Sequence, residues 1–274
     1  MALKGVDVSL FQGKPDWKKV KASGVDFAII KATQGRSEGG SAYLFKDRSF
    51  AYNITTAPKN GIYCGVYHYF TAKTEPEAQT EAKFFVDTIK PYKKNITLYA
   101  AVDVESKHLS GLSKSELTNL VIHFCDYVRK SGFTPIVYTN PDWLRNRLNG
   151  IGNELLWLAL WRDKNNTPTG YGNMKIWQWG GSAVGGISGN VDSNFGYFDL
   201  PKAQKQNVPT IVCFPKANYN GVSLVDGLRS VGVNTSFSYR MKIAKANGVN
   251  NYIGTAKQNI ALLNKLKQGK LVKP

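Results

Sequence analysis

Apolar runs of strand length recur along the first 200 residues, at 25–31, 61–70, 98–105, 135–138, 155–160 and 175–179. Patterns with helical spacing lie between them. Ala82, Phe85, Val86 and Ile89 predict one helix, with Thr74 as its cap and Glu75, Pro76 and Glu77 in its first turn. A second opens at Ser113, where Glu116 three residues on makes a capping box. It carries Leu117, Leu120, Val121, Phe124 and Val128 on one face and stops at Gly132. Strands alternating with helices imply an α/β fold with a parallel sheet, and over about 200 residues that is a barrel or an open doubly wound sheet. No Gly-x-Gly-x-x-Gly follows the first strand and there is no P-loop, so nucleotide binding loses its usual support.

Beyond Gly196 the texture changes to Lys-, Gln- and Asn-rich sequence punctuated by Pro201, Pro209 and Pro215. This divides the chain into a domain over 1–197, a linker over 198–212 and a small α+β domain over 213–274. In the last, helices are expected at 236–247, closed by Gly248, and at 255–267, capped by Thr255 and closed by Gly269. Residues 222–228 read as strand or turn.

Charge sharpens the division. The 274 residues carry a net charge of +17, yet residues 201–274 hold twelve Lys and Arg against a single acid, Asp226. Such a field attracts a polyanion: nucleic acid, anionic lipid or the anionic polymers of a bacterial wall. A solvated basic surface with no specific partner is the plainer alternative. Base-reading and stacking motifs for nucleic acid are not evident, so none is expected as a partner. A chain 42% hydrophobic and 20% charged, with Gly and Pro dispersed, is not disordered, collagen-like or a coiled coil. No apolar run approaches the roughly 18 residues that cross a bilayer, so stable membrane insertion is not expected. The chain opens without the apolar core of a secretory leader, and export by another route is expected. Cys64, Cys125 and Cys213 are odd in number and widely spaced, which predicts reduced thiols. Neither they nor His68, His108 and His123 have metal-ligand spacing, and no metal or cofactor is expected.

The candidate chemistry lies in carboxylates near the ends of apolar runs, where a buried charge is expensive. Asp103 and Glu105 close the run from Leu98, and on a strand positions i and i+2 share a face. Asp7 stands in Gly-Val-Asp-Val-Ser and Asp192 in Asn-Val-Asp-Ser-Asn. Converging acids raise one another's pKa, as a general acid near neutral pH requires, and paired carboxylates are the equipment of glycoside cleavage. Taken alone, Asp-x-Glu could equally be a metal-ligand pair or a capped strand end. The case strengthens because Tyr67, Tyr69, Tyr138, Trp157, Trp161, Trp177 and Trp179 surround these acids in sequence, and aromatic faces suit sugars. Core placement is the competing reading for Trp157 and Trp177. His68, between two tyrosines, reads equally as a hydrogen-bonded core histidine or a catalyst.

These motifs, in order, resemble glycoside hydrolase family 25 lysozymes: Gly5-Val6-Asp7-Val8-Ser9 with Gln12, Phe27-Ala28-Ile29-Ile30-Lys31-Ala32-Thr33 with Gly35, Gly65-Val66-Tyr67-His68-Tyr69, Ala101-Val102-Asp103-Val104-Glu105, Val137-Tyr138-Thr139-Asn140, Leu156-Trp157-Leu158-Ala159, Ile176-Trp177-Gln178-Trp179 and Val191-Asp192-Ser193-Asn194. The likeness covers about residues 3–198, and is greatest to endolysins of phages that infect clostridia. Trp161 and Trp179 depart from it, standing where tyrosine is often seen. The resemblance implies a modified, flattened TIM-like β/α barrel with muramidase activity on peptidoglycan, cleaving with net retention. By carry-over Glu105 is the acid/base and Asp103 stabilises the charge on the sugar or orients its acetamido group. Asp7 and Asp192 tune the site, and Tyr67, Tyr69, Tyr138, Trp161 and Gln178 bind substrate, with Tyr67 and Tyr138 lining the cleft. The tail, from Val225-Asp226-Gly227-Leu228 to Leu266-Lys267-Gln268-Gly269, resembles segments that end clostridial wall hydrolases and bind cell wall. The implied partners are peptidoglycan of a Gram-positive, clostridial-type wall and an anionic wall polymer. A tail that only stabilises the enzyme or makes a homo-oligomer is the alternative. The implied location is the host cytoplasm until a holin opens the membrane. A chitinase-like hydrolase and a non-enzymatic wall-binding protein stand as alternatives. The first lacks its usual acidic run, since Leu98-Tyr99-Ala100-Ala101-Val102 precedes Asp103; the second is disfavoured by retention of all four acids.

Overall fold

The computed structural model describes residues 2–36, 43–200 and 212–274. The chain forms two compact units, residues 1–202 and 203–274. Of the expected linker, residues 201–211 lie outside the described residues.

In the first unit the elements run β1 (Leu3–Val8), α1 (Trp17–Ala22), β2 (Phe27–Arg36), β3 (Tyr43–Lys46), α2 (Phe50–Thr56), β4 (Tyr63–Tyr69), α3 (Glu75–Ile89), β5 (Ala100–Asp103), α4 (Lys114–Lys130), β6 (Pro135–Thr139), α5 (Pro141–Asn146), β7 (Leu155–Ala159), β8 (Met174–Ala183) and β9 (Asn190–Gly196). Strands β1, β2 and β4 to β8 form a parallel series, and β9 is antiparallel to both β8 and β1. Pairing of β1 with β2 and with β9 closes eight strands into a barrel; β3 is a hairpin partner of β2 outside the ring.

The strand period of two builds two cores. Phe27, Ile29, Ala101, Ile136, Trp157 and Ile176 fill the barrel. Their neighbours Ala28, Ile30, Val102, Val137, Leu156 and Leu158 face outward into a second core with Phe85 and Val86 of α3 and Phe124 and Val128 of α4. Both helices start where their caps predict. The Thr74 hydroxyl accepts from Glu77 N (3.4 Å), and in the Ser113–Glu116 box Ser113 N donates to Glu116 Oε2 (2.8 Å). Gly65 on β4 marks a tight point: a Cβ there would stand 2.6 Å from Ile29 Cδ1 and 2.9 Å from the Tyr99 carbonyl oxygen. Backbone cannot yield as a side-chain tip does, so Gly65→Ala is expected to destabilise the unit by about 2 kcal/mol. Calorimetry should then show a melting midpoint lower by about 4–8 °C; an unchanged midpoint would mean that the barrel interior gives way freely.

Three expectations need correction. The strand expected over 98–105 ends at Asp103, leaving Glu105 two residues beyond the ladder. The backbone stays tethered there, with Val104 N donating to the Tyr138 carbonyl and Thr139 Oγ1 donating to the Val104 carbonyl (2.9 and 2.8 Å). The apolar runs end at 179 in the sequence, yet Asp192 lies within a further strand, β9. Residues 222–228 are largely helical, not strand or turn: α6 (Leu224–Arg229) is capped by the Ser223 hydroxyl, which accepts from Asp226 N.

In the second unit α7 (Phe237–Ala246) and α8 (Ala256–Lys267) follow α6, and an isolated antiparallel bridge joins Cys213 to Val272. Leu224, Leu228, Ile243, Leu262, Leu263 and Leu266 make its core. The Thr255–Gln258 capping box opens α8 as the sequence predicts. All three cysteines are free, with Cys64 and Cys125 buried.

Candidate active site

The parallel strands deliver their C-terminal ends to one mouth of the barrel, and β9, running the other way, delivers its beginning. Asp7 therefore comes from the end of β1, Tyr67 and Tyr69 from the end of β4, Asp103 from the end of β5 and Asp192 from the start of β9. Register sets neighbours side by side: Tyr69 pairs with Asp103, Asp103 with Tyr138, and Lys31 with Tyr67. A cavity of about 400 Å³ opens here, lined by Asp7, Asp103, Glu105, Asp192, Tyr67, Tyr69, Lys31, Gln34, Gln12, Ser9, Val8 and Phe11. All four sequence-nominated acids and two of the nominated tyrosines thus share one wall.

Tyr138, Gln178 and Trp161 are not among the residues lining this cavity and reach it through Asp7. Tyr138 Oη and Trp161 Nε1 both donate to Gln178 Oε1 (3.1 and 3.0 Å), which fixes the amide so that its Nε2 donates to Asp7 Oδ2 (3.1 Å). Asn194 Nδ2 donates to the same oxygen (2.8 Å), and Trp157 Nε1 orients Asn194 by donating to its Oδ1 (2.8 Å). Tyr138 is thus joined to the site through Gln178, while the residues lining this cavity include Tyr67 and Tyr69 and not Tyr138. Trp157 and Trp177 are core, each with its indole N–H satisfied, the latter by the Leu160 carbonyl.

Burial and mutual repulsion set the electrostatics. Asp7, 9% exposed, is pushed up to about 7, chiefly by burial and then by the charge of Asp192, against the opposing bonds from Asn194 and Gln178. Asp103, 6% exposed, is driven well above the carboxylate range by burial and then by Glu105, while Lys31 pulls the other way. Burial raises Asp192 as well, and lowers Lys31 against the pull of Asp103, Asp47 and Glu105. The Lys31 ammonium lies 5.8 Å from the Tyr67 ring centroid and 5.1 Å from that of Tyr69. A site of this kind holds protons on carboxyl groups near neutral pH, the requirement for protonating a leaving oxygen.

His68 is a core histidine and takes no part in the cavity. It is fully buried between Thr33 Oγ1 (2.7 Å) and Glu81 Oε2 (2.8 Å), and Glu81 also accepts from Thr71 N and Thr71 Oγ1. Lys31, Gln34, Phe11 and Asn194 are among the site residues absent from the sequence-derived set, as are Val8, Ser9 and Gln12. The signal for Lys31 was present, a lone lysine inside an apolar strand. That for Asn194 was its i+2 relation to Asp192. Among the described residues no group of three or more His, Cys, Asp or Glu side chains is placed to hold a metal ion, and no helix is long and apolar enough to cross a membrane.

Comparison with known proteins agrees with this geometry. The chain is 31% identical over 205 residues to Lysozyme M1 of Streptomyces globisporus, covering 70% of this chain and 67% of that protein. It is 33% identical over 193 residues to the autolytic lysozyme of Clostridium acetobutylicum, covering 69% of this chain but 54% of the relative. The chain therefore spans about half to two thirds of these relatives' length. Among solved structures, the CTP1L endolysin matches with a TM-score of 0.60 at 27% identity, over 71% of this chain and 66% of that one. The family model described as glycosyl hydrolases family 25 matches residues 6–187, which include Asp7, Asp103 and Glu105, and the chain belongs to that family.

Proposed function

We propose that this chain is a muramidase of the endolysin class, hydrolysing the β-1,4 bond between N-acetylmuramic acid and N-acetylglucosamine in peptidoglycan. The observation that carries the reading is the convergence of Asp7, Asp103, Glu105 and Asp192 on one cavity, within a fold whose family is that of the lysozymes. Glu105 gives its proton to the bridging oxygen as the bond to the sugar's anomeric carbon breaks. Asp103 lines the cavity, and its Oδ1 is buried with no hydrogen-bond partner among the described residues. That oxygen meets the positive charge on the sugar or the N–H of its acetamido group. Glu105 then takes a proton from the water that adds to the anomeric carbon, restoring itself, with net retention. Asp7 and Asp192 tune the charge of the site, and Tyr67 and Tyr69 line it.

The second unit serves as the wall anchor in this reading. Eleven net positive charges over residues 201–274 suit a wall rich in phosphate and carboxylate, and tethering raises the local concentration of the barrel at its polymer. A clostridial-type wall is the natural target, given the likeness to the Clostridium acetobutylicum lysozyme. Likeness to an endolysin supports a protein held in the host cytoplasm until the membrane opens.

The test is the identity of the sugar ends released from purified clostridial walls, read by mass spectrometry after reduction. Reducing N-acetylmuramic acid ends are expected. Reducing N-acetylglucosamine ends would mean cleavage of the other bond, and intact walls with the protein bound to them would mean a binding protein.

A further inference from the structure

Among the described residues of the first unit, the large apolar side chains that stand exposed are Leu10, Phe11 and Trp161. All three follow barrel strands at the mouth that carries the acids, the first two after β1 and the third after β7. Trp161 is already tied to Asp7 through Gln178. Phe11 is the more exposed, at 83%, and it lines the cavity itself.

An exposed phenyl ring forgoes the burial that would otherwise hold it inside, and here the exposure is built in. Phe11 N donates to Ser9 Oγ (3.3 Å), and Ser9 N donates to Gln12 Oε1 (2.8 Å), a capping box closed within one turn. Leu10 N donates to Asp47 Oδ2 (2.8 Å) from 37 residues away, and Gly13 with φ of +64° turns the chain off. The turn is thus fixed before any ligand arrives, which spares the ordering that binding would otherwise require. Gln12 and Gln34 line the same cavity as the ring and bring amide groups to it. A flat apolar face bordered by amides matches a pyranose ring, whose C–H face is apolar and whose rim carries hydroxyl and acetamido groups.

We propose that Phe11 is a stacking platform for a sugar of the glycan strand next to the cleaved bond, governing affinity for the strand and not the rate of cleavage. The inference rests on the muramidase reading above. Leu10, exposed on the same turn but absent from the cavity lining, supplies the control.

The experiment measures KM and kcat of the full chain on soluble wall glycans stripped of peptide. Phe11→Ala is expected to raise KM about tenfold with kcat changed by less than about threefold, the pattern of lost uniform binding. Phe11→Trp should keep the wild-type KM, Phe11→Leu should resemble Phe11→Ala, and Leu10→Ala should resemble wild type. An unchanged KM in Phe11→Ala, a wild-type KM in Phe11→Leu, an equal effect of Leu10→Ala, or an effect seen only on peptide-bearing glycans would each overturn the platform. Calorimetric binding of the same glycans to Glu105→Gln, with and without Phe11→Ala, reads the proposal apart from catalysis. Weaker binding with the second substitution supports the platform even if the wild type cleaves another bond, and equal binding overturns it.

Discussion

Replacing Glu105 by Gln should lower kcat for release of reducing ends from walls by a factor of about 10³ or more, leaving the melting midpoint within about one degree. General acid catalysis alone contributes about 10²–10⁴, and the leaving alkoxide of a glycoside departs poorly without a proton. The substitution keeps the size and shape of the side chain. It also removes a like charge from beside Asp103 and Asp7, both of which feel Glu105 as a repulsion. Glu105 stands two residues beyond the end of β5. Activity within tenfold of wild type would remove Glu105 from proton transfer and pass that role to Asp103 or Asp7, the other carboxyl groups at the mouth.

The acids were legible in the sequence because each interrupts an apolar or tightly patterned stretch, and such interruptions are tolerated where function requires them. The outer helices were legible too, since Thr74 and the Ser113–Glu116 pair announce their starts by local chemistry. β1 and β9 were not. Asp7 in β1 and Asp192 and Asn194 in β9 point into the polar mouth, which deprives both strands of the apolar alternation by which a strand is recognised. The site's own polarity thus concealed the strands that close the barrel. A closing antiparallel strand is also invisible to a reading that infers a parallel sheet from alternation with helices.

What binds the site together lay further beyond sequence reasoning. Gln178 and Asn194 reach Asp7 across 171 and 187 residues, and only the closure of the ring brings them there. Gln178 was nominated as a substrate ligand, yet both ends of its amide are engaged within the protein, by Tyr138, Trp161 and Asp7. Phe11 gave no signal in the pattern because a phenylalanine in sequence reads as core; its exposure is a property of the fold.

Asp7 shows what such a site requires of the fold around it. Its carboxyl is raised from 3.8 to about 7, so between those values the folded protein binds a proton that the unfolded chain has released. Stability therefore falls as pH rises through that window and levels off above it. At 1.36 kcal/mol per pKa unit, the full penalty is on the order of 4 kcal/mol. Asp7→Asn keeps an acceptor oxygen for Gln178 and Asn194 and has nothing to ionise, and it removes the repulsion that Asp192 exerts on Asp7. Its melting midpoint should match wild type near pH 4 and exceed it by about 10 °C above pH 7, at about 2–4 °C per kcal/mol for a unit of this size. Above pH 7, where the wild-type carboxylate is ionised, the same variant should lose activity by about 10² or more, because the negative charge it removes lies at the mouth where positive charge develops on the sugar. A midpoint difference that does not grow with pH would show that Asp7 ionises freely in the folded state. A gain in stability coupled to a loss of turnover would show instead that the barrel keeps a destabilising carboxyl at the end of β1 for its chemistry.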